Sequence, residues 1–280
     1  MLVFSKIQSV KKYVAPLKKS NSIGFVPTMG ALHQGHISLV EKAKDGNDLV
    51  AVSIFVNPTQ FDKEEDLLNY PNTLDSDLDR LQKLGVDLVF VPTSNEVYED
   101  SVVAEMFDFD GLDAVMEGKF RKGHFDGVGT VVKRLLEIVG PDRAYFGEKD
   151  YQQLLIIKNM VRKHAIPVEI IGCPIYREAD GLAMSSRNMR LTQAQRKAAP
   201  LIYKTLQELR GKVHQMGIQE ITKWVTENIN KDPELKLEYF EIVNETSLQK
   251  VSTLGKGKSY RAFIAVFAGK IRLIDNISLQ

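Results

Sequence analysis

Between residues 22 and 171 the sequence alternates short apolar segments with longer segments that carry apolar residues at three- and four-residue spacing. The short segments are typical of β-strands and the longer ones of amphipathic helices. This order favours a parallel sheet covered by helices, with right-handed crossovers. The predicted strands are Ser22–Pro27, Leu49–Val56, Val86–Val91, Arg143–Phe146 and Val168–Ile171, and the predicted helices are Gly35–Lys44, Thr73–Leu84, Phe125–Val139 and Lys149–Ala165.

The pattern changes after Thr192, where two charged helical patterns are followed by a strand-rich end. A chain of 280 residues can form two domains of ordinary size. We therefore predict an α/β protein with domains at residues 1–176 and 177–280, and a hinge in the polar stretch 175–190 that lets one domain close on the other. The second domain is predicted to contain helices Gln193–Gln215 and Ile218–Ile229 and an antiparallel sheet of Lys236–Ile242, Arg261–Phe267 and Lys270–Ile274.

Composition narrows the classes of partner. The 44% of hydrophobic and 26% of charged residues are typical of a globular protein with a real core. Because 37 basic residues balance 36 acidic ones, the chain lacks the general attraction for phosphate polymers, which favours a small-molecule partner over nucleic acid. The single cysteine, Cys173, cannot form an internal disulfide, and no apolar run approaches the roughly 20 residues of a membrane span. We expect a cytoplasmic protein without membrane association.

Four polar segments follow predicted strands or lie at the domain junction, and ligands of parallel α/β proteins bind beyond the carboxyl ends of the strands. In the first segment, Gly30 and Gly35 allow a ligand to approach the main chain closely. His33 and His36 lie three residues apart at a helix start, where both imidazoles can face one place. Because a helix N-terminus already favours anions, two imidazole donors there predict a phosphate site.

Two other interpretations of the histidine pair stay open on spacing alone. A glycine-rich connection from strand to helix can carry two incidental histidines. The His-x-x-His spacing also suits zinc, although Cys173 and scattered carboxylates offer no obvious remaining ligands.

The second segment leaves the second predicted strand with Asn57 and Gln60. Their amides both donate and accept hydrogen bonds, which suits a ligand with a hydroxyl and a carboxylate. Pro58 in the same segment is equally consistent with a plain turn.

The third segment leads from a strand end into a helix. Lys149 can act as a point charge on phosphate oxygens, and Gln153 lies one helical turn beyond it on the same side. Glu148 and Asp150 would equally suit a solvated helix start, where acidic residues are favoured.

The fourth segment lies at the domain junction and contains Ser185, Ser186 and Arg187. Two hydroxyls and a guanidinium on a mobile loop can wrap the distal phosphates of a nucleotide and stabilise departing pyrophosphate. A polar linker is the alternative.

The motifs in these segments resemble those of a known family. The run PTMGALHQGH resembles the HIGH-type phosphate motif of the adenylyl-transferring Rossmann superfamily, and MSSRN resembles its KMSKS-type counterpart. With FVNPTQF, GHFDGVGTVV, YFGEKDYQQ and READGLAMSSRNMRL in the same order, the chain is similar to the pantoate–β-alanine ligase (pantothenate synthetase) family over almost its whole length. The resemblance implies a Rossmann-like domain, a smaller C-terminal α+β lid domain and a homodimer.

The same resemblance implies an activity and its residues. ATP and pantoate would form pantoyl adenylate and pyrophosphate, and β-alanine would then displace AMP to give pantothenate. The implied catalytic residues are His36, His33 and Lys149, and the implied pantoate residues are Gln60 and Gln153, with Asn57 and His124 as neighbours. The implied ATP residues are Met29, Gly30, Ala31, Leu32, His33, Gln34, Gly35, His36, Gly147, Glu148, Lys149, Asp150, Tyr176, Met184, Ser185, Ser186 and Arg187.

Magnesium is implied as a companion of ATP. Ser76 occupies one of two positions that are often acidic in the family, and Mg²⁺ can be held mainly by phosphates and water. No residue, Asp77 included, is therefore assigned as a metal ligand.

Three other functions use related features. A nucleotidylyltransferase shares the fold and the HIGH-type motif but retains the nucleotide in its product. An aminoacyl-tRNA synthetase shares both motifs, but no region here is basic or large enough for a tRNA platform. A protein that senses ATP without chemistry would use the glycines and the lysine but gain nothing from the histidine pair.

Overall fold

The computed structural model describes residues 1–60, 67, 70–98 and 102–279. The chain divides into two compact units, of which the first comprises Met1–Glu148 and Gln153–Pro174 and the second Lys149–Gln152 and Ile175–Gln280. The sequence predicted a first domain of residues 1–176, whereas the structure groups residues 149–152 and 175–176 with the second unit.

A six-stranded parallel sheet forms the centre of the first unit, in the order β1-β4-β3-β2-β5-β6. This confirms the predicted parallel α/β architecture. The short β1 at the edge was not predicted from the sequence. The strands are β1 (Leu2–Phe4), β2 (Ile23–Thr28), β3 (Leu49–Ile54), β4 (Leu88–Phe90), β5 (Arg143–Gly147) and β6 (Glu169–Cys173).

Helices cover this sheet. Its central strands are therefore buried, as is usual for parallel sheets. Val26 of β2 and Val52 of β3, for example, share an apolar cluster with Val40 of an adjoining helix. The helices are Ile7–Leu17, Gln34–Gly46, Leu74–Lys83, Ser94–Tyr98, Met116–Phe120, His124–Val139 and Tyr151–Lys163, with single 3₁₀ turns at Pro58–Gln60 and Glu148–Asp150.

The strand order reverses at β2, which pairs with β3 on one side and β5 on the other. The chain therefore leaves the carboxyl ends of these neighbouring strands toward different parts of the sheet. In open α/β sheets a ligand crevice forms at such a switch point. Thr28 ends β2 and Gly147 ends β5, so the first and third polar segments begin at this edge.

The second unit contains the predicted smaller antiparallel sheet, in the order β7-β8-β9. Leu206 and Ile221 of two helices pack with Ile264 of the middle strand in its apolar core. No helix in the described part of the chain has both the length and the apolar character of a membrane span. The elements are a 3₁₀ turn at Ser186–Arg190, helices Gln193–Ala198, Leu201–Lys212 and Ile218–Asn230, and strands β7 (Leu235–Asn244), β8 (Tyr260–Ala268) and β9 (Ile271–Ser278).

The prediction of one helix over Gln193–Gln215 is wrong. The structure has two helices there, because Pro200 lies between Ala198 and Leu201. Proline has no N–H for the helical hydrogen bond and its ring clashes with the preceding turn, so a helix restarts at proline rather than continuing through it.

Two glycines in helices are expected to respond in opposite ways to alanine. A Cβ at Gly127 would lie 2.4 Å from the carbonyl oxygen of Thr59, whereas a Cβ at Gly211 would meet no atom within 4 Å. We expect Gly127→Ala to destabilise the fold by about 1–3 kcal/mol, because backbone must move. Gly211→Ala should stabilise it by up to about 1 kcal/mol through helix propensity. Urea unfolding measures both, and equal effects would contradict the close approach at Gly127.

Candidate active site

The loop after β2 has an unusual backbone. Gly30 has φ +80° and Ala31 has φ +49°, which is the left-handed region that favours glycine. The hydroxyl of Thr28 donates to the carbonyl of Ser53 over 2.7 Å and accepts from the N–H of Gly30 over 3.2 Å. These bonds fix the turn that carries the chain into the helix Gln34–Gly46.

A buried carboxylate holds the next part of this loop. Asp77 is 1% exposed, and its two oxygens accept the N–H groups of Ala31 and Leu32, each over 2.9 Å. Its Oδ2 also accepts from the hydroxyl of Thr73 over 3.0 Å, and Arg80 of the same helix donates to the carbonyl of Leu32. Asp77 is therefore engaged as an anchor of the loop. Sequence analysis had considered this residue only in connection with magnesium.

The two histidines of the first segment stack on each other. Their ring centroids are 4.0 Å apart at an interplanar angle of 27°. The backbone N–H of His33 donates to Nδ1 of His36 over 3.3 Å. Because Nδ1 of His36 accepts, its proton is on Nε2, which makes Nε2 a hydrogen-bond donor suited to a phosphate oxygen.

Gln60 follows β3 and lies in a network of side chains. Its amide nitrogen contacts the sulfur of Met29 over 2.8 Å, and its Oε1 accepts from Asn57 over 3.2 Å. Asn57 is 1% exposed, and its Oδ1 accepts from the hydroxyl of Tyr98 over 2.5 Å. Burial raises the pKa of Tyr98, so the hydroxyl keeps its proton over a wide range of pH. The hydrogen bond from Asn57 thus orients the side chain of Gln60.

His124 is buried beside the same glutamine. The guanidinium of Arg121 lies 2.9 Å from Nε2 of His124, and Nδ1 lies 2.9 Å from the carbonyl oxygen of Gln60. Because a guanidinium only donates, Nε2 must accept and Nδ1–H must donate to Gln60. His124 therefore supports the backbone of Gln60. Phe61, the last residue of the FVNPTQF motif, lies outside the described residues.

The second unit contains a pocket that brings together residues of the third and fourth segments. Lys149, Ser185 and Arg187 line it, together with Arg272 and Asp275 of β9. Lys149 and Arg187 give this pocket positive charge, which suits an anionic group. Arg272 is paired with Glu238 over 2.6 Å, and Asp275 is paired with Arg177. The sequence predicted the first three residues separately, and the structure shows them at one place.

The loop before Arg187 is folded on itself. The carbonyl of Tyr176 accepts from the N–H of Met184 over 3.0 Å, and Ser185 Oγ accepts from the N–H of Arg187 over 3.3 Å. Asn188 donates to Glu178 over 2.8 Å. The segment that the sequence presented as a phosphate-binding loop or a polar linker thus forms hydrogen bonds within the second unit.

The other predicted residues lie along the same segments. Gln153 and Glu148 are half-buried in the first unit, and Asp150 of the second unit is exposed, 3.5 Å from Lys149. Gly35 is half-buried and Gln34 is exposed at the start of the helix that carries His36.

Sequence analysis missed Asp275 and Asn276, which are buried in β9. Arg177 binds both oxygens of Asp275, over 2.7 and 2.9 Å. Burial raises the pKa of the Asp275 carboxyl, and the Arg177 guanidinium opposes that shift. The available signal was the polar pair Asp275 and Asn276 between Ile274 and Ile277, because a strand buries such groups only when they have partners.

The described residues contain no group of three or more histidine, cysteine, aspartate or glutamate side chains able to hold a metal ion. Within that part of the chain, no third such side chain joins the histidine pair.

Comparison with known proteins decides among the remaining alternatives. The sequence model of the family described as pantoate-beta-alanine ligase matches residues 2–278. The chain belongs to this family. The pantothenate synthetases of Flavobacterium psychrophilum and Porphyromonas gingivalis are 51% and 45% identical to the chain, over 100% of both sequences in each case.

Solved structures agree with this assignment. The pantothenate synthetase of Thermus thermophilus is 41% identical, with a TM-score of 0.92 over 100% of this chain and 99% of that one. A pantoate–β-alanine ligase from Francisella tularensis, complexed with beta-gamma ATP and β-alanine, is 40% identical, with a TM-score of 0.84 over 100% of this chain and 98% of that one. The Rossmann-like fold expected from the motifs is confirmed.

The anchoring of the loop by Asp77 can be tested without substrates. In Asp77→Asn, the amide can accept only through one oxygen, so one of the two backbone N–H groups loses its partner. We expect a loss of about 1–3 kcal/mol of stability and faster hydrogen exchange at Ala31 or Leu32. Asp79→Asn on the same helix is the control, because Asp79 is exposed and pairs with Lys83. Similar exchange in both variants would contradict the anchor.

Proposed function

We propose that this protein ligates pantoate and β-alanine to pantothenate at the expense of ATP, as a member of the pantoate–β-alanine ligase family. The observation that carries the proposal is the family match over residues 2–278. The fold and the four polar segments are consistent with it. We assign the histidine pair of the first unit and the cationic pocket of the second unit to ATP.

In the first step, a carboxylate oxygen of pantoate attacks the α-phosphorus of ATP. The new O–P bond forms while the bond to the bridging oxygen breaks, and pyrophosphate leaves with its electron pair. The carboxylate is already ionised at neutral pH, so this step requires no general base. Positioning and neutralisation of charge therefore dominate, and Nε2–H of His36, Lys149 and Arg187 are suitable donors.

In the second step, the amine of β-alanine attacks the acyl carbon of pantoyl adenylate. The C–N bond forms and the acyl C–O bond breaks, so AMP leaves with its electron pair. Because the amine is protonated at neutral pH, it gives up one proton before the attack and a second as the amide forms, and both protons end on solvent. We assign Gln60 and Gln153 to pantoate. The side chain of Gln60 is held by Asn57, which suits a residue that must orient a small substrate.

Magnesium fits this site as part of the substrate MgATP. Asp77 is engaged by backbone N–H groups, and the part of the chain that the structure describes offers no carboxylate cluster for the ion. Mg²⁺ is commonly held by substrate phosphates and water. The protein itself then contributes lysine, arginine and histidine side chains to the phosphate site.

One further expectation follows from the family resemblance and a second from the cysteine content. We propose that the protein forms a homodimer and acts in the cytoplasm. Sedimentation velocity of the purified chain tests the first, and fractionation of cells that express a tagged chain tests the second.

Omission assays test the proposed reaction. With ATP, pantoate and β-alanine, we expect equal amounts of pyrophosphate, AMP and pantothenate. Without β-alanine, pyrophosphate should form only up to one equivalent of enzyme and free AMP should be absent, because the adenylate stays bound. A nucleotidylyltransferase would retain the nucleotide in its product whether or not β-alanine is added, and that result would exclude the ligase.

His36→Ala tests the histidine pair. Removal of one donor to developing negative charge costs about two to three orders of magnitude in rate, and we expect this loss in adenylate formation. His214→Ala is the matched control, because His214 is exposed in the second unit and belongs to none of the four segments. Single-turnover release of pyrophosphate measures both variants. Unchanged turnover in folded His36→Ala would exclude this role. A protein that only senses ATP would release no pyrophosphate in either form and would bind ATP as before the substitution.

A further inference from the structure

Strand β9 carries two consecutive polar residues between the apolar residues Ile274 and Ile277. Asp275 is 4% exposed and Asn276 is 1% exposed. Burial of an amide and a carboxylate costs free energy unless each finds hydrogen-bond partners. The partners of Asn276 lead directly to a residue assigned above to ATP.

The side-chain amide of Asn276 donates from Nδ2 to the carbonyl oxygen of Lys149 over 2.9 Å. Its Oδ1 accepts from the guanidinium of Arg261 over 2.6 Å. The amide is therefore fixed in orientation, since exchanging its oxygen and nitrogen would place two donors together and two acceptors together. The orientation that satisfies Arg261 is the one that holds Lys149.

Arg261 also contacts the segment Lys149–Gln152 directly, through the ring of Tyr151. Its guanidinium lies 3.8 Å from the centre of the Tyr151 ring, and Nε donates to Glu245 over 2.8 Å. Tyr151 also packs against Phe263, with ring centroids 6.1 Å apart. The segment Lys149–Gln152 thus belongs to the second unit through contacts with β8 and β9.

Asp275 fixes a second segment that leads to the pocket. Through its two bonds to Arg177, which also donates to the carbonyl of Gly181 over 3.1 Å, it fixes the start of the loop that leads to Arg187. The N–H of Asn276 donates to Asp275 over 2.8 Å. One dipeptide of β9 therefore bonds both the segment that carries Lys149 and the start of the loop that leads to Arg187, and these two residues line the same pocket.

We propose that Asn276 is a positioning residue that sets the place of Lys149 for the phosphate groups of ATP. The inference rests on the proposed function for the identity of the ligand. The lysine side chain is long, but its reach is set by its backbone, and a shift of about 1 Å at a charge-neutralising group can cost up to about 100-fold in rate. Asn276 itself touches no phosphate in this assignment.

Asn276→Asp tests the proposal with little change in volume. Aspartate still accepts from Arg261 but cannot donate to the carbonyl of Lys149. We expect adenylate formation to fall by about 10- to 100-fold and the Kd for ATP to rise, while the KM for β-alanine stays unchanged. Asn244→Asp is the matched control, because the Oδ1 of Asn244 in β7 accepts from the turn at Thr246 and Ser247, and aspartate can accept in the same way.

A double-mutant cycle separates positioning from general damage. If Asn276 acts through Lys149, Asn276→Asp should have little further effect on ATP affinity in the Lys149→Ala background. Effects that multiply in the double variant would overturn the proposal, as would a normal ATP affinity in the single variant. Asn276→Ala, which carries no added charge beside Asp275, repeats the cycle if Asn276→Asp does not fold.

The design separates this inference from the proposed function. Formation of pantothenate by the unaltered protein decides the function. Calorimetric ATP binding decides the role of Asn276, and it does so whether or not pantothenate is formed.

Discussion

The parallel pairing of β2 with both β3 and β5 is the constraint on which the first unit depends. Parallel strands end at the same edge of a sheet, so residues far apart in sequence emerge as neighbours there. Thr28 leads into the histidine pair, Ile54 leads toward Gln60 and Gly147 begins the third polar segment. The backbone hydrogen bonds of the sheet bring these strand ends together. The polar segments therefore need no interactions with one another to begin at the same edge.

Buried polar side chains then convert this general placement into a specific geometry. Asp77 holds the N–H groups of the loop before His33, Asn57 holds Gln60, and Asn276 holds the carbonyl of Lys149. Each is nearly inaccessible to water and is satisfied by protein groups. Such groups are costly to bury and have well-defined partners, which makes them suitable supports for residues that bind a substrate.

Two buried carboxylates of this chain support the backbone and side chains around them. Asp77 and Asp275 are buried acids, and each is paired with backbone or guanidinium donors. Neither is left to bind a cation. The positive charge of the site is instead carried by exposed or half-buried lysine and arginine side chains, which is the arrangement that a polyphosphate requires.

The sequence by itself determined the order of strands β2 to β6 and of the four longer helices between them, and it singled out the four polar segments. It did not predict β1 or the helix Ile7–Leu17. The hydrophobic periodicity and the residues that end helices and strands suffice for the predicted elements, because both are local properties of the sequence. The failure at Pro200 was also local, since the helical pattern on both sides concealed the break.

Tertiary structure alone decided what holds those segments in place. Asp77 lies more than forty residues from the amides that it binds, and Asn276 lies 127 residues from Lys149. No spacing rule links such pairs, because their meeting depends on how sheets and helices pack. The partners of a buried polar group depend on contacts between distant parts of the chain. The periodicity that predicts a helix or a strand is contained in a few consecutive residues.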